Sequence, residues 1–180
     1  MKTSPQIKAA LDRAASMVKA KPSIGQRTYK SIATVSNGLA CAIQEKEWSF
    51  ASDTPEAMGG DNGAPSPSTL FRAAVSGCVA MGIKMWAARS EIAIEHIEVC
   101  FATDVDARGQ FGVCDQVSPG FENADLHIRV VTDAAEADAR SVIDASLHHS
   151  PMIDALKDSF PIQTRVEIQP TMQRIDGAAA

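Results

Sequence analysis

The sequence is short of positive charge: 17 Lys and Arg stand against 22 Asp and Glu, for a formal net charge of -5. That balance argues against a nucleic-acid or anionic-membrane partner. No basic stripe offsets it, because Lys19, Lys21, Arg27 and Lys30 are spread along the N-terminal segment and interrupted by Pro22 and Gly25. No apolar run is expected to approach the roughly 20 residues that a membrane span requires. The first residues carry neither the apolar stretch nor the small-residue cleavage site of a secretory signal, so a cytoplasmic address is expected. The four cysteines, Cys41, Cys78, Cys100 and Cys114, contain no CxxC pair. They are read as free thiols rather than a disulfide framework or a zinc site, and neither metal nor cofactor is expected. Internal repeats and long low-complexity stretches are lacking too.

What is present is ordinary globular material: 180 residues, 45% hydrophobic and 22% charged. That length supports one domain with an appendage and a real core. From Ser4 to about Ala20, Ile7, Leu11, Ala14 and Val18 form a weak helical stripe ended by Pro22 and Gly25. Alternation then replaces it. Ile32 and Thr34, Leu39 to Ile43, and Trp48 with Phe50 read as short strands, with Asn37-Gly38 as a tight turn. A long Gly/Pro loop follows, from Asp53 through Gly59, Gly60 and Gly63 to Pro65; loops of this length are often functional.

Ser66-Pro67 opens a helix predicted to run to Arg89 or Ser90, with Ser66 as N-cap. Phe71, Ala74, Val75, Cys78, Met81, Gly82, Met85 and Trp86 share one broad face. A helix this apolar nearly all round is expected to be buried. Three further strands are predicted, Glu95–Ala102, Ala124–Val131 and Gln163–Ile168, each with one packed and one wet side. Between the last two lies a helix with Asp133 and Glu136 as capping box and Val142, Ile143 and Leu147 as buried stripe. It stops near His148-His149, adjacent residues that face different ways and are read as helix-end or solvent groups. Ser150-Pro151 starts another short helix to about Lys157, with Ser150 as N-cap. Met58, Met81, Met85, Trp86 and Met152 are candidates to surround Cys78 as plain core or as a flexible apolar pocket.

The order of these elements, with Gly59-Gly60, the run Ser66-Pro67-Ser68-Thr69-Leu70-Phe71 leading to Gly77-Cys78, and the later Ser150-Pro151 step, resembles the OsmC/Ohr family. The resemblance covers roughly Thr28 to Gln169. It divides the chain into an N-terminal helical extension (1–27), an OsmC-like domain (28–169) and a C-terminal tail (170–180). It implies an α+β, two-layer fold with antiparallel or mixed sheets around a buried central helix, as an intertwined homodimer with its sites between subunits. It also implies thiol-dependent reduction of organic hydroperoxides, with Cys78 as the attacking thiol.

Such chemistry needs a thiolate, an apolar pocket and a resolving thiol. The family's resolving cysteine precedes the proline of the short helix, and here Ser150 stands in its place. A glutamate at the central helix start helps orient an activating arginine in the family; the matching position is Ser68, and Arg27 and Arg72 are the candidate arginines. Three outcomes follow: Cys41, Cys100 or Cys114 substitutes as the resolving thiol, an external thiol reductant completes the cycle, or the dimer binds a small apolar or thiol-reactive ligand without turnover.

Overall fold

The computed structural model describes residues 1–157 and 162–168. Helix α1 spans Ser4–Ala20, and a 3-10 turn at Pro22–Ile24 closes it. At its start the Gln6 side-chain oxygen accepts the Thr3 amide at 2.9 Å, satisfying a donor that the helix leaves free. None of its residues is fully buried. Lys8 pairs with Asp12 at 3.0 Å, and Arg89, at the end of a later helix, approaches Asp12 at 3.4 Å. The helix thus rests on its neighbour by a thin apolar edge and surface charge.

Strands β1 (Ile32–Val35), β2 (Cys41–Glu45) and β3 (Trp48–Ser52) form an antiparallel meander in that order. Its register sets Ala33 opposite Ile43 and Ile43 opposite Phe50. Gly38 turns the first corner at φ +67°, a backbone state that a side chain disfavours. The predicted strands are therefore present, but Ile32, Val35, Trp48 and Phe50 are all exposed. Nothing among the described residues covers them.

A second antiparallel pair, β4 (His96–Val105) and β5 (Phe121–Val131), runs from His96 opposite Val131 to Val105 opposite Phe121. The short helix α3, Ala107–Gln110, lies in the connection between them. Alternation works here as expected. Ile97, Val99, Leu126, Ile128 and Val130 pack against the core, while His96, Glu98, Cys100, His127 and Arg129 are exposed.

Helix α2, Pro67–Arg89, lies over that packed face, and α4, Glu136–His148, packs against α2. Ser66 caps α2, its hydroxyl accepting the Thr69 amide at 3.2 Å. The buried side of α2 differs from the predicted broad face. Val75, Val79, Ile83 and Ala87, spaced four apart, face inward. Val79, Ile83 and Ala87 join Ile94 and Val142 in the core, where each large side chain contributes about 1.5–3 kcal/mol by leaving water. Met81 and Met85 are instead 64% and 42% exposed. By length and composition alone, α2 is apolar enough to cross a membrane, contrary to the expectation that no segment is. Its apolar character is shared between a packed stripe and an open side.

Two further expectations are corrected. Asp133 and Glu136 form no capping box: Ala135 occupies the N-cap of α4 and supplies no side-chain oxygen. The Thr132 hydroxyl takes up the slack nearby, accepting the Ala134 amide and donating to the Ala93 carbonyl. Gln163–Ile168 is not a strand; these residues have no regular structure, and Val166 and Ile168 are exposed. Alternation marks a segment fit to pair, but a strand exists only with a neighbour to bond. Gln169 and the tail 170–180 lie outside the described residues.

The last helix, α5 (Pro151–Lys157), meets α2 and α4 at a sharp corner. The architecture is thus α+β with two small antiparallel sheets, and the α4–α5 corner sits against the open side of α2.

Candidate functional site

That corner brings Ser150 to Cys78. The Cys78 sulfur lies 3.5 Å from the Ser150 hydroxyl oxygen, although 72 residues separate them in sequence. Ser150 is 4% exposed and also caps α5, its oxygen accepting the Ile153 amide at 3.3 Å. A serine hydroxyl has one proton and two lone pairs. With a lone pair engaged by Ile153, its proton is free to point at the sulfur. Toward a thiol either partner can donate; toward a thiolate only the serine can.

Cys78 and Ser150 line a cavity of about 480 Å³ whose walls are mostly apolar, with Met81, Met85, Trp86 and Met152 among them. Three of the expected methionines are there; Met58 is not among the lining residues. Thioethers suit an irregular, flexible occupant. Among the described residues, no Lys, Arg, Asp or Glu lines the cavity.

Two lining residues were not picked out by sequence reasoning. Ser146, in the last turns of α4, is 2% exposed and its hydroxyl has no hydrogen-bond partner. It faces Gly82, one turn along α2 from Cys78; a Cβ on Gly82 would lie 2.6 Å from the Ser146 oxygen. A buried hydroxyl left unpaired costs about 1–3 kcal/mol. His149, read as a helix-end group, also lines it. Its ring lies 4.7 Å from that of Trp86, and Nδ1 sits 2.9 Å from the Ala145 carbonyl. A carbonyl only accepts, so Nδ1 is the donor in that contact. The signal for both was the Ser-Pro corner itself: a bend that delivers Ser150 also delivers its neighbours.

The other predicted site residues lie elsewhere. Ser68 is exposed in the first turn of α2. Arg27 bonds back to the Ile24 carbonyl at 3.0 Å, and Arg72 reaches the Thr103 hydroxyl at 3.5 Å. None of the three lines the cavity. Cys41 borders a separate hollow of about 370 Å³ beside Leu39. Cys100 is exposed on β4, and Cys114 is half-buried in the connection before β5.

The Gly/Pro loop is built around Asp53, which is 3% exposed. Its carboxylate accepts amides of Thr54 at 2.7 Å, Gly63 at 3.0 Å and Asp61 at 3.2 Å. The amides of Gly63 and Thr54, helped by Asp61, hold its pKa below the ordinary 3.8 even though burial pushes the other way. The Ser52 hydroxyl donates to the Pro65 carbonyl at 2.9 Å, closing the loop just before α2. This polar latch fixes where α2 begins, and hence where Cys78 sits.

The family model described as OsmC-like protein matches residues 60–165. No curated protein sequence matches the chain. Among solved structures, the fold is similar to an OsmC-like protein from Mycoplasma pneumoniae, with TM-score 0.62 and 13% identity over 74% of this chain and 90% of that one. It is also similar to an organic hydroperoxide resistance protein from Elizabethkingia anophelis, solved with thiocyanate bound, with TM-score 0.56 and 18% identity over 74% and 91%. A third is a Vibrio cholerae O1 biovar eltor protein assigned to organic hydroperoxide resistance, which holds captopril in one of its active sites. There the TM-score is 0.53 and the identity 20% over 74% and 88%.

Proposed function

This chain belongs to the OsmC-like protein family, and from that premise we propose that it reduces organic hydroperoxides through Cys78. The observation that carries the reading is the Cys78 sulfur beside the Ser150 hydroxyl in a mostly apolar cavity with a spare buried hydroxyl, Ser146. In the reaction, the Cys78 thiolate attacks the terminal oxygen of the hydroperoxide. An S–O bond forms, the O–O bond breaks, and the alkoxide leaves and takes a proton to become the alcohol. The sulfur is oxidised by two electrons to a sulfenic acid, and the peroxide is reduced by two. The apolar walls would hold the alkyl group. Ser150 would donate to sulfur before the step and to its new oxygen afterwards.

The same reading includes a homodimer. Met81 and Met85 on α2, and Trp48 and Phe50 on the meander, are large apolar groups left open in one copy. Patches of this kind mark interaction surfaces, and a second copy that covered them would also close the cavity mouth. A cytoplasmic setting would supply the reductant.

A second reading rests on the cavity's lack of a charged side chain among the described residues: the dimer binds a small apolar or thiol-reactive molecule without turning it over. One comparison separates the two, namely consumption of cumene hydroperoxide with dithiothreitol by wild type and by Cys78→Ser. The peroxidase reading expects turnover that the substitution reduces at least about 100-fold, as loss of the attacking nucleophile should. Equal and negligible rates would leave only the binding reading.

A further inference from the structure

Four observations bear on what happens to an oxidised Cys78. Its nearest polar neighbour is an oxygen, Ser150, which cannot form a disulfide. None of the other three cysteines lines its cavity. The cavity is open enough to admit a second molecule, at about 480 Å³, and carries no Lys, Arg, Asp or Glu among the described residues. Ser146 of α4 also lines the cavity, with a buried, unpartnered hydroxyl that faces Gly82, one helical turn along α2 from Cys78.

Resting on the hydroperoxide reading, we propose that Cys78 is the sole protein thiol of the cycle and that a small uncharged thiol enters this cavity to resolve it. The incoming thiol sulfur attacks the Cys78 sulfenic sulfur. An S–S bond forms, the S–O bond breaks, and the hydroxyl leaves with the thiol's proton as water. A second molecule of the thiol attacks the mixed disulfide, releasing the Cys78 thiolate and a small-molecule disulfide. One hydroperoxide and two thiols thus give an alcohol, water and one disulfide. Through the sequence Ser150 is a positioning residue, holding the oxidised sulfur by its hydroxyl and leaving its far side to the entering thiol. An anionic thiol finds no cation among the described lining residues and pays to leave water, so charge is selected against.

The test uses the full chain with all four cysteines, oxidised by one equivalent of cumene hydroperoxide and read by peptide mass spectrometry. Wild type is expected to yield a dimedone-trappable sulfenic acid at Cys78 and no internal disulfide. Adding 2-mercaptoethanol should give an adduct at Cys78, at least ten times faster than mercaptosuccinate does. In Ser150→Cys, a sulfur replaces the oxygen 3.5 Å away and needs to close by only about 1.5 Å to reach bonding distance. That variant should form an internal disulfide to Cys78 without added thiol and give no 2-mercaptoethanol adduct. A wild-type disulfide from Cys78 to Cys41, Cys100 or Cys114, or equal rates for the two thiols, would overturn the inference while leaving hydroperoxide reduction standing. Failure of Cys78 to oxidise in both proteins would overturn both.

Discussion

Gly60 lies directly against Thr54: a Cβ placed on the glycine would overlap the threonine carbonyl oxygen and sit 2.7 Å from an Asp53 carboxylate oxygen. The tight approach is what lets the loop wrap around Asp53. Gly60→Ala must therefore push backbone aside, and the expected cost is about 1–3 kcal/mol, as for other overpacked sites. Gly63→Ala is the control, since its nearest neighbour would be in ordinary contact at 3.5 Å. Urea midpoints would check the pair; equal midpoints would contradict the packing account.

The same carboxylate predicts a pH dependence. Because the pKa of Asp53 is lowered in the folded chain, its stabilising effect is fully present above the ordinary value of 3.8. It is lost as pH falls through the lower folded value. Asp53→Asn should thus be less stable than wild type at neutral pH, with the gap narrowing below about pH 3.8. Thermal melts across that range would show it. A gap that stays constant with pH would rule the carboxylate's charge out as the cause.

Ile83 has no exposed surface and sits at the centre of the core cluster. Ile83→Ala should cost about 2–5 kcal/mol, the range for truncating a buried aliphatic side chain. Denaturant unfolding followed by circular dichroism measures this directly.

On the open side of the same helix, the paired substitution Met81→Lys and Met85→Lys tests self-association. Two like charges brought into an apolar contact should shift the protein to a single subunit in sedimentation velocity, with the far-ultraviolet spectrum unchanged. An unchanged sedimentation coefficient would remove this face from any interface.

Ser150 has two duties that substitution can separate. Ser150→Ala removes the cap of α5 and should cost about 1 kcal/mol. Ser150→Asp keeps a capping oxygen but buries a carboxylate at a position only 4% exposed, so stability should fall below wild type. The added negative charge close to Cys78 should also slow its alkylation by iodoacetamide several-fold, because only the thiolate reacts. Equal alkylation rates in wild type and Ser150→Asp would show that the 3.5 Å approach has no influence on the sulfur.

Much of the fold was legible because local chemistry marks boundaries. Ser66-Pro67 and Ser150-Pro151 announce helix starts, and both helices begin at those prolines. The alternation in β4 and β5 names their packed residues correctly. The orientation of α2 was less accessible. With nearly every position apolar, periodicity had no firm basis for a choice: the expected face held Val75 together with Cys78 and Met81 and left out Val79 and Ile83. Tertiary contact with β4 and α4 made that choice. The site was half legible: Cys78 and Ser150 were both singled out, and the structure brings them together. Ser146 and His149 were missed because their direction depends on the α4–α5 corner, a long-range feature with only two residues of sequence signal.

The meander of β1 to β3 has a consequence for dynamics. Among the described residues its strands bond only to one another, and their large apolar groups are uncovered, a state with little independent stability for so small a sheet. Its amide protons should trade with heavy water through local opening, while those of α2, α4, β4 and β5 wait for the whole core to come apart. Slowing of the first set as protein concentration rises would then time the arrival of whatever covers it, strand by strand.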